Sequence, residues 1–206
     1  MIDINECLYR KIYEAGDINE HLLYLSKLSK ECESILECGV RSVISSWAFL
    51  NGLVKNQKDT KCLHLCDLQQ DNNTHQIEEA CREQTVEYMF HKCSDLHVPN
   101  RPYDMVFIDT WHVYGHLKRE LELFSKMAQK YIVMHDTEVD KILGETIRVG
   151  WDAFEQSKET GIPVDEITKG LQPAIDEFLL SHPEWRVKQH FVHNNGLTVL
   201  EKVNVL

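Results

Sequence analysis

The sequence predicts an α/β fold: a doubly wound, mostly parallel seven-stranded sheet with an antiparallel hairpin near its C-terminus. Short apolar runs alternate with amphipathic stretches between residues 17 and 137, as strands and helices alternate in such sheets. The stretch 103–137 is typical of a buried strand, a crossover helix and a second buried strand. Two further apolar stretches flank residues 193–196 (HNNG), which favour a tight turn between antiparallel strands.

Residues 17–93 supply a leading helix, three strands and the two helices between them. Ile18 and Leu22 begin an apolar pattern at helical spacing in the leading segment. Ser45 or Ser46 is a suitable N-cap for the next helix, because its hydroxyl accepts a hydrogen bond from a free backbone N–H. The predicted elements are a helix over 17–32, a strand over 34–39, a helix over 45–54, a strand over 61–66, a helix over 74–83 and a strand over 86–93.

Strands four and five enclose the next helix. Residues 105–108 and 131–134 are apolar runs of the kind that a parallel sheet buries on both faces. Between them, Leu117, Leu121 and Phe124 recur at helical spacing. Beyond residue 137 the alternation stops. There the sequence predicts helices over 142–156 and 173–180 and hairpin strands over 185–192 and 197–203.

Length and composition are typical of one globular domain. The 206 residues are 43% apolar and 27% charged, which provides enough apolar side chains for a sizeable core. We therefore predict a single domain over 1–206, with an N-terminal helical segment over 1–33 and a helical insertion over 138–184. The net charge is 22 − 33 = −11, which repels phosphate backbones, so nucleic acid is not expected as a partner.

The seven cysteines are expected to be reduced thiols in a cytoplasmic, reducing compartment. Their number is odd and they lack metal-type pairs, and buried free thiols suit such a compartment. The N-terminal stretch is too charged for a signal peptide, and no stretch approaches the roughly 18 apolar residues of a membrane span. No membrane association is therefore expected. The cysteines are Cys7, Cys32, Cys38, Cys62, Cys66, Cys81 and Cys93.

Polar residues follow strands four and five at the carboxyl edge of the predicted sheet. Asp109 comes at the end of strand four, with His112 three positions further on. His135 and Asp136 come at the end of strand five. A right-handed strand–helix–strand unit places both carboxyl ends on one edge, where open α/β sheets bind ligands. The four side chains are therefore predicted to form one site.

The motifs along this edge resemble those of the class I S-adenosylmethionine-dependent methyltransferases, which have a Rossmann-like fold. ILECGVRSVISSWAFL is similar to the family's first motif, although Val43 stands where a later glycine is common. The resemblance implies S-adenosylmethionine as the cofactor. It implies these cofactor-binding residues: Glu37, Gly39 and Ser45 near the methionine part, Asp67 on the ribose, Ser94 and Asp95 at the adenine ring, and Asp109. The residues themselves leave structural roles open, since Asp67 also suits a helix cap and Ser94-Asp95 a polar turn.

FIDTWHVYGHLKREL and VMHDT are similar to motifs of sugar and natural-product O-methyltransferases. Several members of that subgroup bind Mg²⁺, so the resemblance implies a divalent metal held by Asp109, His135 and Asp136. His135 stands where some members have a second carboxylate, and imidazole is a poor exchange for an oxygen ligand of Mg²⁺. Mg²⁺ held by the two aspartates and water, a softer divalent ion, or no metal all stay open. The chain also resembles virus-encoded methyltransferases that modify rhamnose in capsid glycans.

The resemblance implies O-methyl transfer to a sugar hydroxyl of a small molecule or glycan. Asp109, His112 and Asp136 are the candidate catalytic residues, because the hydroxyl proton must leave as the new bond forms. His112 is favoured as the base, since histidine titrates near neutral pH. A metal-dependent hydrolase or oxidoreductase, and a non-catalytic binding module, are the alternatives left open. A homodimer also stays open, and the helical insertion is expected to cover the acceptor.

Overall fold

Seven strands form one sheet in the computed structural model, which describes residues 2–203. In chain order they are β1 (Ser34–Cys38), β2 (Cys62–Asp67), β3 (Glu87–Lys92), β4 (Tyr103–Ile108), β5 (Ala128–His135), β6 (Trp185–Phe191) and β7 (Leu197–Lys202). The strands lie in the order β3-β2-β1-β4-β5-β7-β6. Strands β1 to β5 pair in parallel, and β7 pairs antiparallel with both β5 and β6. The predicted fold class is confirmed.

Helices cover both faces of the sheet. In chain order they are α1 (Ile4–Tyr13), α2 (Leu22–Ser29), α3 (Ile44–Lys55), α4 (Thr74–Glu83), α5 (Tyr114–Phe124), α6 (Glu145–Val149), α7 (Ala153–Thr160), α8 (Val164–Ile167) and α9 (Gln172–Ser181). Residues of α1 to α4 belong to the core on one face, and residues of α5 and α9 to the core on the other. Within residues 2–203, no helix has the length and apolar character that crossing a membrane requires.

Strand β4 shows why its sequence is apolar throughout. Met105 and Phe107 belong to the first core, whereas Val106 and Ile108 belong to the second. Successive side chains of a strand point to opposite faces, and both faces are covered here. A central parallel strand of this kind therefore needs a continuous apolar run rather than an alternating one.

The prediction of one helix over 142–156 is wrong. Helix α6 ends at Val149, because Gly150 adopts a left-handed φ of 74° that a helix cannot continue. Asp152 then starts α7 by accepting hydrogen bonds from the backbone N–H groups of Phe154 and Glu155. The leading helix is also shorter than predicted, since α2 follows a 3₁₀ turn over Asn19–His21.

The predicted N-cap of α3 is wrong as well. The helix begins at Ile44 with Val43 as its N-cap, and neither Ser45 nor Ser46 has that role. Val43 has a φ of 58°, a left-handed conformation that β-branched residues rarely adopt. Val43 stands at the position where the family pattern often has a glycine, and its backbone adopts the left-handed conformation that suits glycine.

The carboxyl ends of β1, β2 and β4 meet directly. The backbone N–H of Gly39 donates to the carbonyl of Cys66, and that of Asp109 donates to the carbonyl of Cys38, both over 2.9 Å. Gly39 has a φ of 83°, and a Cβ at this position would overlap the Asp109 carbonyl oxygen. Glycine is therefore required for the loop after β1 to approach the end of β4.

Candidate active site

Four side chains converge at the carboxyl ends of β4 and β5; we call Asp109, His112, His135 and Asp136 the acid–histidine cluster. His112 Nε2 lies 3.2 Å from Asp109 Oδ1, and His112 Nδ1 lies 3.2 Å from Asp136 Oδ2. His135 Nδ1 lies 3.4 Å from Asp109 Oδ1 and 3.4 Å from Asp136 Oδ2. The structure thus brings together the four residues that the sequence places at this edge.

A change of backbone conformation after β5 explains this convergence. Successive side chains of a strand point to opposite faces, which alone would separate His135 from Asp136. Asp136 instead adopts a left-handed φ of 57°, a conformation that aspartate tolerates better than most residues. The alternation is broken there, and both side chains come within ion-pair distance of Asp109 or His112.

The ring of His135 is oriented by two backbone carbonyls. Its Nε2 lies 3.0 Å from the carbonyl oxygen of Asp17 and 3.3 Å from that of Asn194. Carbonyl oxygens only accept hydrogen bonds, so Nε2 carries a proton and donates it to them. The other ring nitrogen, Nδ1, is thereby turned toward the carboxylates of Asp109 and Asp136. Metal-ligating histidines are commonly fixed in this way through their second nitrogen.

Opposite charges stabilise one another inside the cluster. Burial opposes ionisation of Asp109, but His112 and His135 hold its pKa well below the usual range. Burial likewise opposes the charged form of His135, but Asp109 and Asp136 raise its pKa to about 10. For His112, burial is outweighed by the carboxylates of Asp109 and Asp140, which raise its pKa well above the usual value. With only these side chains around them, the rings of His112 and His135 are both protonated at neutral pH.

Three residues that sequence reasoning missed surround the cluster. Asp140 Oδ2 lies 3.4 Å and Glu145 Oε2 lies 3.6 Å from His112 Nδ1. Arg148 donates to both oxygens of the fully buried Asp140, over 2.6 and 2.8 Å. The available signal was the density of acidic residues in HDTEVDKILGE directly after strand five. Arg148 thus balances the charge of Asp140. It lies farther from Glu145, with 3.7 Å between Arg148 Nη2 and Glu145 Oε1.

Three buried polar atoms of the cluster find no hydrogen-bond partner among residues 2–203: His112 Nδ1, His135 Nδ1 and Asp136 Oδ1. The carboxylates nearest to Nδ1 of each ring lie at ion-pair distance from that nitrogen but outside hydrogen-bond geometry. Leaving such an atom unsatisfied costs about 1–3 kcal/mol, which a bound ligand would recover. The unsatisfied atoms therefore indicate where a ligand would be held.

The donor set of the cluster fits a divalent cation. One ligand atom each from Asp109, His112 and Asp136 lies within 4.8 Å of the other two. His135, which the sequence predicted in place of His112, also presents Nδ1 to the two aspartates. Carboxylates suit hard cations, whereas imidazole suits softer divalent ions than Mg²⁺. The cluster thus fits a divalent ion that accepts mixed oxygen and nitrogen ligands.

Glu37 lies beneath the loop after β1 rather than at its surface. Its fully buried carboxylate accepts hydrogen bonds from the hydroxyls of Ser45 and Ser46, the latter over 2.6 Å. Burial raises the pKa of Glu37 to about 8, although the two hydroxyls oppose the shift. Glu37 therefore ties the first turn of α3 to β1. The predicted contacts of Glu37 and Ser45 with a cofactor stay predictions.

Asp67 holds the same loop from the end of β2. Its Oδ2 accepts hydrogen bonds from the backbone N–H groups of Val40 and Arg41, over 2.9 and 3.2 Å. Its Oδ1 accepts one from Gln69 over 3.1 Å. We call Glu37 and Asp67 the loop anchors, because each carboxylate holds part of the segment after β1: Glu37 the first turn of α3, and Asp67 the backbone at Val40 and Arg41. An oxygen with two lone pairs has room for another donor at Oδ1, so the predicted contact of Asp67 with a ribose hydroxyl stays a prediction.

Ser94 and Asp95 follow β3, at the predicted adenine position. The Ser94 hydroxyl accepts a hydrogen bond from the backbone N–H of Leu96 and caps a short 3₁₀ turn. Asp95 is buried, and its Oδ2 lies 3.2 Å from Nε2 of His116 on α5. Burial raises the pKa of the neighbouring Glu120 to about 8. Asp95 is thus directed toward α5, and its contact with an adenine ring stays a prediction.

Two surface cavities lie away from the acid–histidine cluster. One, of about 600 Å³, includes Cys62, Glu87 and Arg101 near the amino ends of β2 and β3. The other, of about 790 Å³, lies between α5 and α9 and includes Lys118 and Phe178. Neither is at the carboxyl edge of the sheet, where open α/β folds bind their ligands. The cluster itself is therefore the candidate site.

The part of the chain that contains the cluster and the loop anchors matches a known family. A family model described as a methyltransferase domain matches residues 36–137, which run from β1 to the residue after Asp136. The matched segment is a methyltransferase domain, and the chain is an S-adenosylmethionine-dependent methyltransferase. In this methyltransferase, Glu37, Asp67 and Asp109 all fall within the matched segment. No curated protein sequence matches the chain.

Solved structures show the same fold over almost the whole methyltransferase. A protein from Corynebacterium glutamicum is 18% identical, with 98% of this chain and 91% of that chain covered and a TM-score of 0.62. A Podospora anserina methyltransferase bound to SAH is 14% identical, with coverage of 99% and 89% and a TM-score of 0.58. An O-methyltransferase from Bacillus cereus in complex with SAH is 14% identical, with coverage of 99% and 92% and a TM-score of 0.57. At these identities the likeness shows the shared fold.

Proposed function

We propose that this methyltransferase transfers the methyl group of S-adenosylmethionine to a hydroxyl oxygen of a sugar, with the help of a divalent cation at the acid–histidine cluster. The observation that carries the proposal is the convergence of Asp109, His112, His135 and Asp136 with three buried polar atoms unsatisfied. The sugar acceptor is supported by the likeness of FIDTWHVYGHLKREL and VMHDT to motifs of sugar O-methyltransferases. The O-methyltransferase from Bacillus cereus shares the fold.

The cofactor supplies an activated methyl group on a sulfonium, so the protein must align an acceptor oxygen with it and remove a proton. The loop anchors keep the backbone after β1 close to Asp109, since Glu37 holds α3 and Asp67 holds Val40. Asp109 and Asp136 place negative charge at the carboxyl edge, which favours a cationic sulfonium nearby. Gly39 allows the loop to lie directly against the end of β4.

The cation would be held by Asp109, Asp136 and His135. When the cation is bound, it would lower the pKa of a sugar hydroxyl. His135 is prepared for this role because the carbonyls of Asp17 and Asn194 fix its protonated Nε2. His112 lies between Asp109 and Asp136, where it can take up the acceptor proton once it is neutral. The carboxylates that surround His112 then stabilise the charge that the ring gains.

Detection of S-adenosylhomocysteine by mass spectrometry tests the proposal. The protein would be incubated with S-adenosylmethionine and a panel of free sugars, nucleotide-linked sugars and rhamnose-containing glycans, with a phenolic acceptor for comparison. We expect turnover with a sugar, loss of turnover after treatment with EDTA, and recovery when Mn²⁺ or Mg²⁺ is added back. A preference for Mn²⁺ is expected from the imidazole ligands of the cluster.

Asp136→Ala tests whether the cation acts at the cluster, because it removes one of the proposed ligands. Asp59→Ala is the matched control, since Asp59 is an exposed aspartate at the opposite edge of the sheet. We expect Asp136→Ala to lose the response to added cation and Asp59→Ala to keep it. Full turnover by the metal-stripped protein in the presence of EDTA would overturn the role of the cation. Turnover with the phenol alone would overturn the sugar acceptor.

A further inference from the structure

Three cysteines lie side by side at the carboxyl ends of β1, β2 and β3. Cys38 and Cys66 are register partners on neighbouring parallel strands, and Cys93 is the first residue after β3. Cys38 and Cys66 belong to the core that includes α5, and Cys93 packs against the same core. All three are free thiols, and Cys93 is the one that is partly exposed. They form a row that leads from the surface into the sheet.

Cys66 and Cys93 are close enough to react with each other. Their sulfur atoms lie 3.9 Å apart, and the Cys66 thiol also lies 3.5 Å from the carbonyl oxygen of Cys93. A disulfide requires a sulfur–sulfur distance of about 2.05 Å, which rotation of the side chains and a small approach of the strand ends supply. A hydrogen bond with Cys38 lowers the pKa of the Cys66 thiol, which favours the thiolate that such a reaction needs.

We propose that Cys66 and Cys93 form a reversible disulfide in the presence of a small-molecule disulfide such as oxidised glutathione, and that this bridge weakens the binding of S-adenosylmethionine. The partly exposed Cys93, whose pKa burial raises to about 11, first loses its proton to solvent. Its thiolate attacks one sulfur of oxidised glutathione, forms a mixed disulfide and releases one glutathione thiolate, which takes up a proton. The Cys66 thiolate then attacks the Cys93 sulfur and releases the second glutathione thiol. The protein loses two protons and two electrons, and oxidised glutathione gains both.

The position of the two cysteines connects the bridge to the cofactor. Asp67 directly follows Cys66 and Ser94 directly follows Cys93, and the resemblance implies contacts of these residues with ribose and adenine. The carbonyl of Cys66 also accepts the hydrogen bond from Gly39 that fixes the loop after β1. Drawing the two sulfur atoms together therefore moves both strand ends that would hold the adenosine. This second half of the proposal rests on the proposed function.

The test uses the full chain treated with oxidised glutathione and then digested with trypsin without reduction. Trypsin releases one peptide in which Cys93 is the only cysteine and another that contains Cys62, Cys66 and Cys81. We expect these two peptides to be joined, with fragment ions that assign the bond to Cys66. Calorimetry should show S-adenosylmethionine binding at least about tenfold more weakly in the oxidised protein, which corresponds to about 1.4 kcal/mol. Dithiothreitol should restore the original affinity.

Two serine variants and one control make the result decisive. Cys93→Ser and Cys66→Ser should each bind S-adenosylmethionine like the reduced wild type and should not respond to oxidised glutathione. Cys7→Ser, which removes a partly buried thiol on α1, should respond as the wild type does. The absence of a bond between Cys66 and Cys93 in the oxidised wild type would overturn the proposal.

Two other outcomes separate this proposal from the proposed function. A bridge that forms without any change in cofactor affinity would overturn its effect on binding. Reduced protein that binds no S-adenosylmethionine at all would instead overturn the proposed function, and with it the effect of the bridge. The peptide masses report bridge formation independently in every case, because they do not depend on the cofactor.

Discussion

The loop anchors and the acid–histidine cluster lie on the same edge of the sheet but differ in how their polar atoms are satisfied. Both carboxylate oxygens of Glu37 and both of Asp67 accept hydrogen bonds from within the chain. In the cluster, by contrast, His112 Nδ1, His135 Nδ1 and Asp136 Oδ1 find no hydrogen-bond partner in the described part of the chain.

This difference separates stability from activity. A buried group that is fully hydrogen-bonded supports the fold, whereas an unsatisfied buried group costs free energy that a ligand recovers. Active sites are the places where a fold tolerates such a cost. Substitutions in the anchors should therefore mainly affect folding, and substitutions in the cluster should mainly affect turnover.

Asp109→Ala should have the largest effect of all, and its main effect should be on turnover. The variant removes a proposed cation ligand and a partner of both histidines, so we expect turnover to fall by about 1,000-fold. The fold should stay intact, although loss of the pairing with the two buried histidines should lower the midpoint of thermal unfolding. Initial rates and calorimetry measure the two quantities, with Asp59→Ala as control. An active, well-folded Asp109→Ala protein would remove Asp109 from the catalytic site.

Glu37→Ala should show the opposite pattern. The hydroxyls of Ser45 and Ser46 are buried and would lose their acceptor, and a cavity would remain. We expect the free energy of unfolding to fall by about 3 kcal/mol. Glu37→Gln keeps the shape and one acceptor oxygen, so it should cost less than about 1 kcal/mol. Denaturant titrations measure both, and a Glu37→Ala protein as stable as the wild type would contradict the anchoring role.

Asp67→Ala tests whether an anchor also contacts the cofactor. If Asp67 accepts hydrogen bonds from the ribose hydroxyls, its loss should weaken S-adenosylmethionine binding by about 1.5–3 kcal/mol. Asp71→Ala, on the exposed segment that follows, should leave the affinity unchanged. Calorimetric titration of both variants decides the question. Equal affinity of Asp67→Ala and the wild type would restrict Asp67 to holding the loop.

Over any one pH unit, the change of stability with pH should be the smallest of these effects. The pKa of Glu37 rises from 4.5 to about 8 on folding because the carboxyl is buried, so the folded state binds more protons between these values. Its contribution to stability is therefore complete below pH 4.5 and is lost as the pH rises through 8, by at most about 1.4 kcal/mol per pH unit. Comparing wild type with Glu37→Gln from pH 5 to 8.5 isolates this term. A difference between the two that does not change with pH would contradict it.

The strands and the cluster were predictable because their signals are short-range. Residues 105–108 are apolar on both faces of β4, which is the pattern of a central parallel strand. The handedness of the β4–α5–β5 unit then places the residues after both strands on one edge. Asp109 and Asp136 could be assigned to one site from these two rules, without knowledge of any contact.

The contacts within the site depend on backbone conformations and distant partners that no local pattern encodes. Ser45 has the chemistry of an N-cap, but Glu37 on β1 takes its hydroxyl and Val43 takes the cap position. Gly150 ends a helix that the apolar pattern continues. The role of Arg148 was also hidden, since it follows from its pairing with the buried Asp140.

The two carbonyls that hold the His135 ring come from opposite ends of the chain, one before α2 and the other in the turn between β6 and β7. During translation, Asp109 and Asp136 are synthesised well before that turn. The His135 ring therefore gains the second of its two carbonyl partners only after the β6–β7 hairpin has closed. A nascent polypeptide would carry both carboxylates before the ring is held by both carbonyls, so the proposed site is complete only once this hairpin has formed.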